Sequence, residues 1–244
     1  MSIGTCVARA FCVILTVGVA GAFDPARAGE ADTGFVLERL SKGHVRVWRA
    51  IETVVSASNP SGEPRSPTLR RLWEWARTST HVLHVEMISP LKMASGRVGV
   101  FHVEHVDPAG LRHVAVIRLC PRNIELARTR PAPDAIDPFV RFDGLTDIER
   151  FAEVLAHELA HAEYFLESSE RLAQLEAAQG AIEVFRSGNR RVSKPVYQDL
   201  GRRLQEPLAV LAACEAHAES VEAVVLRELT KERQSSQEAM GRVR

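Results

Sequence analysis

Two histidines at helical spacing, with a glutamate directly after the first, stand in Val154-Leu-Ala-His157-Glu158-Leu-Ala-His161-Ala162. With 9 histidines in the chain, chance placement of His-Glu-x-x-His has an expectation of only roughly 0.03 when its positions are treated as independent. On an α-helix, positions i and i+4 share a face, so His157 and His161 can direct two imidazoles at one metal ion. Glu158 is rotated by about 100° and can reach a water beside the ion instead of the ion itself. Leu159, Ala160 and Ala162 are apolar, as a buried helix requires. The competing reading is two helical histidines making ordinary hydrogen bonds.

A catalytic zinc site uses three protein ligands, so a third must come from elsewhere. The best candidate is Glu215 in Ala212-Ala-Cys-Glu215-Ala-His217-Ala-Glu219, on the final predicted helix. There Leu208, Leu211, Leu226 and Leu229 all project within about 40° of Glu215, which puts an acid inside an apolar stripe. Burying a carboxylate costs several kcal/mol unless it is paired or bound to a metal. Glu219, one turn later, could hold a ligating histidine by a carboxylate hydrogen bond, and it is also the alternative ligand. A solvated helix face is the competing reading of this pair, because Glu222 lies on the same side without a role. His217 is about 200° away from Glu215 and should not join it.

At these residues the chain resembles the zinc-dependent metallopeptidases of the zincin superfamily, mainly over residues 81–230. The metzincin branch would need Gly and His where Tyr164 and Glu167 stand. The Glu215-x-x-Ala218-Glu219 pattern is similar to the second motif of the gluzincin branch. The resemblance implies an α+β, zincin-like fold, with a small, mostly antiparallel sheet packed on the motif helix and a helical C-terminal half. It implies Zn²⁺ held by His157, His161 and Glu215, Glu158 as general base, and a peptide or protein substrate hydrolysed at an amide bond. It also implies a sheet edge for an extended peptide, for which Val114–Leu119 is the chosen strand. A non-catalytic zinc protein of the same fold, and an interaction module with a coincidental motif, are the alternatives.

Several elements must position these groups. Thr146-Asp-Ile-Glu149 has capping-box spacing and opens the motif helix, which should run to about Glu167. Further helices are expected at Ser169–Arg186, Val196–Gln205 and Pro207–Arg233. Upstream, Gly34–Ser56 carries apolar residues at helical spacing with an interruption at Gly43, Ser58–Ser66 is a loop, and Thr68–Arg77 is a helix. The period then changes: a strand follows from His81, and Arg97–Val106 and His113–Leu119 form a hairpin joined by Asp107-Pro-Ala-Gly110. The proline-containing stretch 126–145 reads as a long connection, of the kind that often covers a site. His81, His84, His102 and His105 are read as strand histidines, since residues at odd separation face opposite ways. Tyr164 and Tyr197 are the only phenolic candidates for steadying an oxyanion.

Composition bounds the rest. With 45% apolar and 25% charged residues among 244, and 31 basic against 31 acidic side chains, the chain is not disordered, collagenous or multispan. Without a basic excess, nucleic acid is not expected as the main partner. Residues 10–23 form an apolar run too short for the roughly 20 residues that span a bilayer, with small residues at Ala20 and Ala22 or Ala26 and Ala28 for cleavage. The expectation is a signal peptide at 1–28, an exported domain at 29–233 and a flexible tail at 234–244, with an N-terminal membrane anchor or buried first helix as the alternatives. No stable membrane span is expected in the mature chain. Cys6 and Cys12 would leave with the signal, and Cys120 and Cys214 would form one disulfide or remain two buried thiols.

Overall fold

The computed structural model describes residues 34–37, 41–93, 97–105, 112–127, 145–188 and 205–241. In chain order these form β1 (Gly34–Leu37), α1 (Lys42–Ser56), α2 (Pro67–Thr78), β2 (Val82–Met87), β3 (Gly99–His105), β4 (Val114–Leu119), α3 (Pro121–Ala127), α4 (Asp147–Leu166), α5 (Ser169–Gly188) and α6 (Gln205–Gly241). The fold is α+β and mostly helical, with one small sheet among the described residues. The expected signal peptide, the connection at 128–144 and the helix at 196–204 lie outside them, as does Tyr197. No described helix is long and apolar enough to cross a membrane.

The sheet has the order β1-β2-β4-β3. Expected to be mostly antiparallel, it is mixed: β1 with β2 and β2 with β4 run parallel, and only β3 with β4 is antiparallel. The difference comes from two places. The chain between β1 and β2 passes through α1 and α2, the kind of long connection that parallel pairing needs. And β1 itself falls inside the stretch expected to be helical. Gly34 at its start has φ +77°, and a Cβ there would stand 2.5 Å from the Arg77 carbonyl oxygen, so only glycine fits between β1 and the end of α2. The helix begins only at Lys42, capped by the Ser41 side chain, and Gly43 lies within its first turn.

The two strands of the expected hairpin pair antiparallel, its expected turn at Asp107-Pro-Ala-Gly110 lying outside the described residues, but Val114–Leu119 is not an edge. Val114–Leu119 pairs with β2 on one side and β3 on the other, so β4 is interior, and β1 and β3 are the edges among the described residues. A nearly continuous apolar run such as Val-Ala-Val-Ile-Arg-Leu is the mark of a strand covered on both faces. His102 and Glu104 on β3 pair with each other on the face away from α4, beside the Glu86–Arg118 ion pair at 2.7 Å. His81 and His113 are buried at the strand starts with stacked rings, and His81 Nδ1 accepts from the His113 N–H at 3.2 Å. Burial and the His113 ring hold the His81 pKa below its ordinary value, which keeps that nitrogen free to accept.

α4 lies between the sheet and α6, with α1, α2 and α5 around it. Its capping box forms as the sequence predicts: Glu149 N–H donates to Thr146 Oγ1 at 3.3 Å, and Thr146 N–H donates to Glu149 Oε2 at 2.7 Å. A helix covered on all sides is apolar nearly all round, as in Val154, Leu155, Ala156, Leu159, Ala160 and Ala162. α6 is fastened to the start of α2. The Glu228 carboxylate accepts from Ser66 Oγ at 2.6 Å and from the Thr68 N–H at 3.2 Å, where the helix N-terminus favours negative charge. Arg65 Nη2 donates to the Leu229 carbonyl at 2.7 Å and to Glu149 at 2.9 Å. These contacts set how α6 lies along α4. α6 also continues past Arg233 to Gly241, further than its apolar pattern predicts.

Candidate metal centre

His157 and His161 sit one turn apart on α4 and face α6. Their Nε2 atoms are 3.0 Å from each other, with His157 Nε2 3.6 Å from Glu215 Oε1 and His161 Nε2 3.5 Å from Glu215 Oε2. One ligand atom from each of the three residues lies within 4.8 Å of the others. The three sequence-predicted ligands therefore converge, and they could hold a metal ion. Two further observations fit an ion there. Glu215 Oε2 is buried without a hydrogen-bond partner, a costly state that a bound cation relieves. And each imidazole is held from behind through Nδ1, which leaves Nε2 to face the cluster.

The partners behind the imidazoles are not the ones expected. Glu222, which the sequence places on the same helix side as Glu215 but without a role, lies 2.7 Å from His157 Nδ1, while Cys214 Sγ lies 2.9 Å from His161 Nδ1. Glu219 is exposed and outside the cluster, so it is neither ligand nor support. The reason is helical phase: Glu222 is seven residues after Glu215, two turns along and back on the face toward α4, whereas Glu219 has rotated off it. Cys214 is a free buried thiol and so is Cys120, which packs with Met93 and Val100 at the end of β4. No disulfide joins them. His217, as expected, stays out of the cluster and packs on Tyr164, with ring centroids 5.3 Å apart. Tyr164 also lies under Arg171 and against Phe165, a packing role.

The electrostatics divide the two histidines. Burial works against a charged His157, but its hydrogen bonds to the Glu215 and Glu222 carboxylates outweigh it and raise the pKa well above its ordinary value. Burial, followed by the charges of His157 and His217, drives His161 well below its own. An ion entering the site therefore competes with a proton at His157 and meets a free lone pair at His161. Glu158, next to His157 in the helix, has its side chain against Gly99 of β3 and is buried; burial first, then Glu215 and Glu222, pushes its pKa up to about 7. A carboxyl poised there can exchange a proton at neutral pH.

Glu153, one turn before His157, escaped the sequence reading although its position in an apolar helix face was a signal. It is 1% exposed, and neither carboxylate oxygen has a hydrogen-bond partner. Burial and then the charge of Glu222 push its pKa up to about 9 from 4.5. The native state thus keeps a proton that the unfolded chain releases above pH 4.5, so stability falls as pH rises from about 4.5 to about 9. At pH 7 this amounts to at most roughly 3.5 kcal/mol, at about 1.4 kcal/mol per pH unit. Glu153→Gln, neutral in both states, is expected to unfold at a higher temperature than the parent at pH 8 and to lose that pH dependence. A lower midpoint for the variant at pH 8, by calorimetry, would mean that the carboxylate has a binding partner.

Compared with known proteins, the chain matches no family model, no curated protein and no solved structure.

Proposed function

We propose that this chain is a zinc-dependent peptidase in which His157, His161 and Glu215 hold the ion and Glu158 is the general base. The observation that carries the reading is the convergence of these three ligand atoms from two helices within 4.8 Å, with Glu158 buried next to His157 on the same helix and in electrostatic range of His157 and Glu215. Two imidazoles and one carboxylate suit zinc, and three protein ligands leave a position open for water and substrate. Bound there, zinc would acidify water and polarise a carbonyl oxygen. Glu158 takes the proton from the attacking water and returns it to the leaving amine. Glu222 and Cys214 fix the orientation of the imidazoles. The strand β3, which packs on α4 and lies at an edge of the sheet among the described residues, would pair with an extended peptide through its outer backbone groups, a role first assigned to β4. The short apolar run before Asp24 supports export of the domain.

A closed structural zinc site would need a fourth side chain, and among the described residues the cluster holds three. The test is cleavage of casein and of a mixed peptide library by protein purified without added metal. Activity should vanish on treatment with a chelator and return with one equivalent of zinc. Bound zinc without cleavage would indicate a non-catalytic zinc protein. Absence of bound metal would indicate a coincidental motif.

A further inference from the structure

Gly99 opens the edge strand β3, opposite Leu119 of β4. Among the described glycines a left-handed φ occurs at Gly34 and Gly62, so the backbone of Gly99 is one that any residue adopts. Its lack of a side chain therefore needs another reason, and the surroundings supply it. A Cβ at this position would stand 2.9 Å from both Cγ and Cδ of Glu158 and closer still to Oε1. These atoms make up the outer half of a buried side chain, on a helix packed on every side, so Glu158 cannot swing aside freely. Two residues on, Phe101 faces the same helix and stacks over His161 and Phe165. The strand thus presents a gap to the base and a ring to the ligand.

We infer that Gly99 is a positioning residue for Glu158: the side chain it lacks is the space in which the Glu158 carboxylate is seated. Only the catalytic consequence rests on the proposed peptidase reading. The steric relation stands without it. Elsewhere in a strand, glycine to alanine is mildly favourable, because alanine loses less backbone freedom on folding. At Gly99 the sign reverses while Glu158 is present.

The deciding experiment is a cycle of four full-length proteins, parent, Gly99→Ala, Glu158→Ala and the double variant, followed by thermal unfolding in the absence of metal. Gly99→Ala should lower the midpoint by about 5 °C in the parent. In the Glu158→Ala background the same change should be neutral or raise it. If Gly99→Ala alone fails to fold, recovery of folding in the double variant carries the same conclusion. An equal loss in both backgrounds, no loss in either, or failure of the double variant to fold would overturn the inference. In the zinc-loaded protein, Gly99→Ala should keep its metal and lower kcat by about 100-fold, the cost of displacing a reacting group by about 1 Å. It should lower kcat no further when added to Glu158→Gln. A protein that cleaves nothing in any form would remove the peptidase reading while leaving the unfolding cycle to decide the role of Gly99.

Discussion

Glu158→Gln is expected to keep the fold and the bound zinc while lowering kcat by about 100- to 10,000-fold, the range that a positioned general base supplies. The glutamine has the same shape and still fits over Gly99, so packing between α4 and β3 is preserved. It cannot accept a proton. Because Glu158 lies outside the group of three ligand atoms, metal content should not change. The check is kcat against metal content and unfolding midpoint in the same preparation. Full activity in a properly folded, zinc-loaded variant would rule out Glu158 as the base.

The ligand substitutions should act on metal and stability together. His157→Ala, His161→Ala and Glu215→Ala each remove one of the three converging groups and should abolish stoichiometric zinc after dialysis. An ion bound only by the folded chain stabilises it by mass action, about 4 kcal/mol when free zinc exceeds the dissociation constant a thousandfold. The unfolding midpoint of the parent should therefore fall with chelator, and that of each ligand variant should not respond. Glu222→Ala leaves the ligands in place but frees the His157 ring, and should weaken zinc by about 10- to 100-fold. Glu219→Ala should change nothing, because Glu219 points to solvent. Zinc retained in Glu215→Ala, or lost in Glu219→Ala, would exchange the roles of the two glutamates.

The part of the site that the sequence made legible is the part set by helical periodicity. His157 and His161 fall on one face because they are one turn apart, and Glu215 stands out because it interrupts a stripe of leucines; both signals are local. The supporting contacts depend on the angle at which α6 crosses α4, which Arg65 and the Glu228 cap at α2 fix from afar. For that reason Glu222 and Cys214, not Glu219, stand behind the histidines. Gly99 could not be read at all, since a glycine in a strand pattern signals a bulge as readily as a close approach. In the sheet, the alternating period after His81 and the β-branched runs on either side of Asp107-Pro-Ala-Gly110 were sufficient for β2, β3 and β4. The parallel partner β1 was hidden because Phe35, Val36 and Leu37 continue into the apolar pattern of α1. The capping box at Thr146 needs only four consecutive residues and formed as predicted.

Anomalous diffraction recorded at the zinc absorption edge, on crystals of the protein purified without added metal, addresses the proposed metal centre most directly. A single peak is expected among His157 Nε2, His161 Nε2 and the Glu215 carboxylate, on the side of the imidazoles away from Glu222 and Cys214. A peak elsewhere, or a crystal without one in which His157 and His161 keep only their hydrogen bonds to Glu222 and Cys214, would contradict the assignment of the zinc site and the peptidase reading built on it.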